Sequence, residues 1–424
     1  MQTRNIILLI IVLIIVAVAV FGFFYLRQPN VPTAVPNSNT NFVSTLWPFG
    51  NKSPNTDTTP KTTPPANTSG YQAPTETPSQ TINLKRISSM PIAGYGVFMK
   101  QRYGTTVTPE NVPYVRYADK ATGYIYETFA DNINEIKFSS TEVPGLHDAS
   151  FGGSGESVII RYLKNDEKTI ETYSGILPKE TPGAPITGDN PMTGSFLPEN
   201  ISDVSISPDF SKIFYVVPSG SGVAGITANI SGSGKNQVFS SSFTEWLSQW
   251  PNNRMITLTT KPSGDVPGYM YAVDPTTKSF NKILGGINGL TTLTSPSGRL
   301  ILYADNGLSL NIYNQNTGTT ISAGVNTLPE KCVWGSASDT IYCAVPRSID
   351  QSKLYPDDWY QGTVSFSDQI WKIDAASGNG TLLADPISSQ DGVDVDAINL
   401  KLDQNEKYLF FVNKNDSYLW ELGL

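Results

Sequence analysis

The sequence has little charge. Charged residues make up 16% of the 424 residues, and the formal net charge is −8, whereas roughly 25% is usual for soluble proteins. Lysine and arginine form no run longer than a scattered pair such as Lys85-Arg86. A nucleic-acid partner requires a basic patch that neutralises phosphates. The sequence therefore predicts no nucleic-acid binding.

Histidine is nearly absent as well, because His147 is the single one. A Ser-His-Asp triad needs a histidine as its base, and a zinc site of several histidines is excluded by count. Ca²⁺ needs six or more oxygen ligands, and no EF-hand spacing is present. We therefore expect no cofactor. Ca²⁺ is the alternative, although no spacing of ligand residues in the sequence supports it.

One long hydrophobic run is present, at residues 6–25, "IILLIIVLIIVAVAVFGFFY". Its length matches a hydrocarbon core of roughly 30 Å at about 1.5 Å per residue. We interpret residues 1–27 as a transmembrane anchor with a cytoplasmic N-terminus and an extracytoplasmic C-terminal region. A cleaved signal peptide is the alternative, since Ala17-Val18-Ala19 resembles a cleavage site.

Residues 28–80 are rich in proline, threonine, asparagine and serine, as in "NKSPNTDTTPKTTPPANTSG". Such a segment has too little apolar surface to offset chain entropy, so the sequence predicts a disordered linker. We expect it to hold a domain, residues 81–424, away from the membrane.

Helical periodicity is almost absent from residue 81 onward, where short β-rich runs alternate with turn residues. The stretch 203–217, "DVSISPDFSKIFYVV", has relatives at 295–304, "SPSGRLILYA", and 401–412, "KLDQNEKYLFFV". A second turn recurs after such hairpins, with anchors at Asp274/Thr277, Asn314/Thr317 and Asp374/Ser377. Each unit therefore contains four short strands, and Ile206, Ile213 and Tyr215 of the first hairpin are expected to be core residues.

The repeat predicts an all-β, seven-bladed β-propeller of about 49 residues per unit, close to the roughly 40–50 of propeller repeats. Six or eight blades, or one or two β-sandwiches, are the alternatives. The innermost strands are expected to begin near Ala93, Leu146, Asp203, Trp246, Leu290, Lys331 and Asp396. The last unit lacks a fourth strand, so residues 81–88, "TINLKRIS", are predicted to close the ring.

The runs "ISPDFSKIFYV" (206–216) and "TSPSGRLILYA" (294–304) resemble the signature of WD-like bacterial β-propellers of the TolB type. With its anchor and linker, the chain is similar to membrane-anchored bacterial propeller proteins of unassigned activity. The resemblance implies that loops between second and third strands share a rim with the loops between blades, where partners usually bind.

The two cysteines, Cys332 and Cys343, lie in one predicted hairpin, "KCVWGSASDTIYC". A turn at residues 336–339 places them opposite each other, within disulfide distance. A disulfide and a pair of buried small hydrophobic residues both remain open.

The candidate partner-binding site is an insertion at residues 348–367, "SIDQSKLYPDDWYQGTVSFS". Its aromatic and acidic side chains have the composition of a recognition patch, and they are Tyr355, Asp357, Asp358, Trp359 and Tyr360. A loop folded over its own blade, with Trp359 as a lid, is the alternative. A further acidic group, Asp391, Asp394 and Asp396, is expected to be solvated, although two of them share a face if the segment is a strand.

We therefore expect a membrane-tethered, extracytoplasmic propeller that binds a protein or glycan partner in the cell envelope, or acts there as a scaffold. The alternative is an envelope hydrolase or lyase that acts on glycans through acidic residues at the propeller channel. Converging buried acids with raised pKa would favour the enzyme, whereas a channel of Ser, Thr and Val would oppose it.

Overall fold

The computed structural model describes residues 83–102, 110–180, 186–388 and 392–424. The predicted anchor at 6–25 and the predicted linker at 28–80 lie outside these ranges. Among the helices of the described ranges, none has the length and apolar character needed to span a bilayer.

The described residues form seven antiparallel sheets of four strands each. Blade 1 contains β2 (Ile92–Arg102), β3 (Glu110–Asp119), β4 (Ile125–Phe129) and β5 (Ile136–Ser139). Blade 2 contains β6 (Leu146–Gly152), β7 (Ser157–Leu163), β8 (Ile170–Ile176) and β9 (Thr193–Phe196). Blade 3 contains β10 (Asp203–Ile206), β11 (Lys212–Ser219), β12 (Gly222–Asn229) and β13 (Asn236–Ser241).

Blades 4 to 6 repeat the same order. Blade 4 contains β14 (Trp246–Asn252), β15 (Met255–Thr260), β16 (Pro267–Val273) and β17 (Phe280–Asn288). Blade 5 contains β18 (Thr291–Thr294), β19 (Leu300–Ala304), β20 (Ser309–Asn314) and β21 (Thr319–Asn326). Blade 6 contains β22 (Cys332–Trp334), β23 (Thr340–Pro346), β24 (Asp368–Asp374) and β25 (Gly380–Ala384). A one-turn helix, α1 (Asp357–Tyr360), lies between β23 and β24.

Blade 7 is closed by the N-terminal strand. Its sheet has the order β1 (Leu84–Arg86), β28 (Leu419–Gly423), β27 (Tyr408–Asn413) and β26 (Ala397–Leu402). Leu84 pairs with Leu422 and Lys85 with Glu421. The predicted donation of the N-terminal strand is confirmed, because an outer strand of blade 7 comes from the other end of the domain.

The first strand of each blade begins within one residue of its predicted start. First strands of neighbouring blades contact one another in the pairs β2 with β6, β10 with β14, β14 with β18 and β22 with β26. They therefore surround the axis of the ring, as the seven-bladed arrangement predicts.

The repeated turns depend on local hydrogen bonds. Ser207 Oγ accepts from the backbone N–H of Lys212 at 2.9 Å, and Asp209 Oδ1 accepts from the N–H of Ser211 at 3.1 Å. In the second turn, Asp274 Oδ1 accepts from the N–H of Thr277 at 2.9 Å. Short polar side chains thus replace missing backbone partners.

The hydrophobic core lies in layers between adjacent blades. One layer joins blades 5 and 6 through residues such as Leu302, Trp334 and Trp371. In the hairpin of blade 3, Ile213 and Tyr215 are fully buried, as expected. Ile206 is only partly buried, because it lies at the end of β10 beside the turn.

Cys332 and Cys343 pair across β22 and β23 in the predicted register. Their Cα atoms are 4.1 Å apart, and a disulfide joins their sulfurs. Both residues are buried in the layer between blades 5 and 6. The bond links two strands that already pair.

Candidate functional site

The insertion at residues 348–367, hereafter the cap loop, folds onto the rim of the propeller. Tyr355 is 3% exposed and Trp359 is 4% exposed. They pack with Phe366, Leu308 and Leu328 in one cluster. The sequence left open an exposed patch or a lid, and these two aromatic residues adopt the buried arrangement of the lid.

The cap loop is attached to blades on both sides of its own. The backbone N–H of Gly264, in the loop between β15 and β16 of blade 4, donates to Asp357 Oδ2 at 2.6 Å. Lys414 Nζ, in blade 7, donates to the carbonyl of Trp359 at 2.7 Å. The loop therefore spans the rim from blade 4 to blade 7.

The remaining predicted residues have mixed environments. Asp358 Oδ2 accepts from the backbone N–H of Leu354 at 2.8 Å, so it stabilises the loop itself. Tyr360 donates its hydroxyl to Glu330 at 2.5 Å, and 37% of Tyr360 is exposed. Partner binding by this loop stays a prediction, and Tyr360 is its exposed aromatic residue.

Charged side chains of blades 2, 3 and 7 gather at the innermost strands of the ring and the residues next to them. We call His147, Asp148, Arg161, Asp203 and Lys401 the charged arc. Asp148 of β6 pairs in register with Arg161 of β7, and the positive charge of Lys401 interacts with Asp148. Lys401 lies on blade 7 and Asp148 on blade 2. Blade 1 lies between these two blades, so the interaction passes its innermost strand, β2.

The cations of the charged arc hydrogen-bond mainly to backbone carbonyls. Lys401 Nζ donates to the carbonyl of Tyr95 at 2.6 Å, and Arg161 donates to the carbonyl of Ile201 at 2.7 Å. Asp203 Oδ2 accepts from the N–H of Ser248 at 2.6 Å. These contacts fix the positions of the charges without pairing each cation closely to an acid.

Burial shifts the pKa values of the charged arc. Desolvation raises the pKa of Asp203 to about 6, opposed by hydrogen bonds from Ser248 and by Arg161 and reinforced by Asp148. It also raises the pKa of Asp148, and it lowers the pKa of Lys401 to about 8. These groups therefore exchange protons closer to neutral pH than ordinary surface side chains do.

Hydroxyl side chains join blades 4 and 5. Gln249 donates to the carbonyl of Thr292 at 2.6 Å and accepts from the N–H of Thr294 at 2.8 Å. Thr257 bonds to Thr294 at 3.1 Å, and Thr259 to Thr292 at 2.7 Å. All four threonines are buried, so the contact between these two blades is neutral and polar.

The acids predicted near residue 394 do not form a group. Asp394 is exposed and Asp396 is fully buried, and both precede β26. They therefore do not share a strand face, and Asp391 lies outside the described residues. Across the described ranges, no three His, Cys, Asp or Glu side chains are placed to hold a metal ion.

Sequence reasoning missed the charged arc as a unit. Asp148 and Lys401 are 253 positions apart in the chain, so no local motif connects them. A weak signal existed, since "LHDASF" and "NLKL" place charged residues inside otherwise apolar strands. His147, singled out only for its rarity, is an exposed member of the arc.

The chain matches no family model and no curated protein. Among solved structures it is similar to a chain in the crystal structure of the mitotic checkpoint complex, with a TM-score of 0.47 and 12% identity over 83% of this chain and 97% of that one. It is similar to oligogalacturonate lyase from Vibrio parahaemolyticus, with a TM-score of 0.47 and 9% identity over 81% and 98%. It is also similar to a functionally unknown protein from Desulfotomaculum acetoxidans, with a TM-score of 0.44 and 14% identity over 77% and 90%. The assignment of a β-propeller thus rests on the seven sheets themselves.

Proposed function

We propose that this chain is a membrane-tethered, extracytoplasmic β-propeller that binds a protein or glycan partner in the cell envelope. The apolar run at 6–25 and the proline- and threonine-rich segment at 28–80 support the tether. A ring of short antiparallel sheets offers a rigid rim on which loops and channel side chains can be held for recognition.

The observation that carries this proposal is the charged arc. The chain is poor in charge overall, yet Arg161, Asp203, Asp148 and Lys401 meet at one side of the channel. Fixed charges of both signs in a partly enclosed site can bind a polar ligand by charge-assisted hydrogen bonds. The cap loop contacts blades 4 to 7, and Lys401 of the charged arc belongs to blade 7.

Crosslinking in intact cells, followed by recovery of the full chain, tests the proposal. We expect a defined partner or envelope glycan to crosslink to the wild type, and at least a tenfold loss with Lys401→Met. Lys261→Met is the control, because Lys261 is an exposed residue paired with Glu245. Equal recovery of the partner by both variants would place binding away from the charged arc.

An envelope glycan hydrolase or lyase is the second candidate, and one observation favours it. Asp148 and Asp203 interact, and burial raises the pKa of both carboxyl groups. An acid with a pKa of about 6 is suited to donate a proton to a leaving group.

Incubation of the full chain with purified envelope glycans tests the enzyme. If protonated Asp203 is the proton donor, product release falls as pH rises through about 6. Asp203→Asn would abolish release, whereas Asp209→Asn, in an exposed turn, would leave it unchanged. Absence of new reducing ends or unsaturated products with wild-type protein would exclude this candidate for the glycans assayed.

A further inference from the structure

One lysine and two carboxyl groups are enclosed together between blades 6 and 7. Lys331 precedes β22, Asp368 begins β24 and Asp396 precedes β26, and all three side chains are 0% exposed. Lys331 Nζ lies 2.8 Å from Asp368 Oδ2 and contacts Asp396 Oδ1. It also donates to the carbonyl of Ala397 at 3.0 Å. We call these three residues the Lys331 cluster.

Aromatic rings of the cap loop cover the Lys331 cluster. The centres of the Trp359 and Phe366 rings are 5.3 and 5.4 Å from Lys331 Nζ. Both residues are almost fully buried. Bulk water is therefore excluded from the amine and from both carboxyl groups.

The two carboxylates and one ammonium inside the aromatic cover would leave a net negative charge there, which is energetically costly. A proton shared within the cluster removes that charge. The partly exposed Lys414, on the other side of Trp359, also acts on Asp396. Burial raises the pKa of Asp368 to about 6, with the charge of Asp396 adding to the shift and Lys331 opposing it. Burial thereby favours the protonated, neutral form of Asp368.

The two carboxyl groups have different surroundings. Asp396 Oδ2 accepts from Trp359 Nε1 at 2.9 Å, the backbone N–H of Phe366 at 3.1 Å and Ser365 Oγ at 3.2 Å. Donors arranged in this way stabilise an oxyanion. Asp368 Oδ2 accepts from the N–H of Ala397 at 2.7 Å, while its buried Oδ1 has no hydrogen-bond partner among the described residues.

We propose that Lys331 and Asp396 condense to form an intramolecular isopeptide bond, with Asp368 as the proton carrier. Transfer of a proton from the ammonium to the Asp396 carboxylate gives a neutral amine and a carboxylic acid. The lone pair of Nζ then attacks Cγ of Asp396, and the negative charge that develops on Oδ2 is stabilised by Trp359, Ser365 and Phe366.

Completion of the reaction requires one proton relay. Protonated Asp368 delivers its proton to Oδ1 of Asp396 and takes one from the nitrogen, so it ends the step protonated again. The Cγ–Oδ1 bond breaks, Oδ1 leaves as water, and an amide remains between Nζ and Cγ. Amine and acid yield amide and water, so no oxidant or other reactant is needed. Fixed proximity replaces the entropy cost of bringing the groups together.

Mass spectrometry of the purified full chain tests the proposal. We expect an intact mass lower by one water molecule than that of the disulfide-bonded chain. After trypsin digestion, Lys331 should resist cleavage, and the peptide of residues 300–347 should be joined to that of residues 373–401, which contains Asp396. A link to residues 354–372 would instead identify Asp368 as the bonded carboxyl group and overturn our assignment.

Two variants separate chemistry from folding. Asp368→Asn keeps the shape of the side chain but cannot relay the proton, so we expect an unlinked Lys331 that trypsin cleaves. Glu421→Gln is the matched control, since it removes a buried carboxyl group elsewhere, in β28 of blade 7, and should leave the link intact. If trypsin cleaves after Lys331 in the wild-type chain and no mass is lost, the Lys331 cluster is only a set of ion pairs. This result would overturn the proposal regardless of the results for the two variants.

Discussion

Glu421 is a fully buried carboxyl group in β28, and neither of its oxygens has a hydrogen-bond partner among the described residues. Burial raises its pKa from 4.5 to about 7, with Asp131 and Asp403 adding to the shift and Lys85 opposing it. The folded protein therefore retains a proton that the unfolded chain loses in the range between these two values.

The sign of this linkage predicts a pH dependence. The contribution of Glu421 to stability is fully present below pH 4.5 and is lost as pH rises through about 7. The full loss is of the order of 3 kcal/mol. Urea denaturation at pH 5 and pH 8 should show that Glu421→Gln removes this part of the pH dependence. Glu245→Gln, at an exposed site, should leave the dependence as in the wild type.

Trp359 is buried in the cap loop, so its replacement should lower the stability of the fold. Trp359→Ala should lower the free energy of unfolding by about 3–5 kcal/mol because it leaves a cavity. Trp359→Phe should cost less, about 1–3 kcal/mol, because it removes the hydrogen bond to Asp396 but keeps a ring. Denaturant titration measures both. If Trp359→Ala lowered the free energy of unfolding as little as Tyr360→Phe does, the buried position of Trp359 would be contradicted.

The hairpin of β22 and β23 carries the disulfide. Joining residues 11 positions apart restricts the unfolded chain, and a 15-residue loop is worth about 3 kcal/mol in the chain-entropy account. We expect Cys332→Ala with Cys343→Ala to lower the free energy of unfolding by about 2–3 kcal/mol. Urea titrations with and without reductant check this, because reductant should weaken the wild type and leave the double variant unchanged.

The blades could be predicted to a large extent from sequence. Turn residues such as Asp209 and Asp274 act on their own backbone neighbours, so their signal is local and repeats with each unit. Apolar alternation in the adjoining strands is equally local. Ile206 was predicted as core but is only partly buried, because its exposure depends on the neighbouring blade as well as on alternation.

Closure of the ring depends on a strand from the opposite end of the domain. Deletion of residues 84–88 would expose the edge of β28, and an unpaired strand edge promotes association. We expect a lower melting temperature and a shift from monomer-sized to larger species in light scattering. Deletion of residues 60–64, of equal length, is the control. Identical behaviour of the two deletions would argue against closure by β1.

The sequence by itself determined the seven units, their inner strands, the closing strand and the register of the two cysteines. These features follow from alternation, turn chemistry and length, which are encoded within about 50 residues at a time. It also identified the cap loop as an insertion, although it could not decide between an exposed patch and a lid. That choice depends on whether other blades supply partners for Trp359.

Only the tertiary structure decided which residues meet. Lys401 of blade 7 interacts with Asp148 of blade 2, and Lys331 contacts Asp396 although they are 65 positions apart. Neither pair has a local pattern, because each partner belongs to a different blade and the ring brings them together. The chemistry of both clusters depends on burial as well, since desolvation changes the pKa values, and burial is a property of the assembled ring.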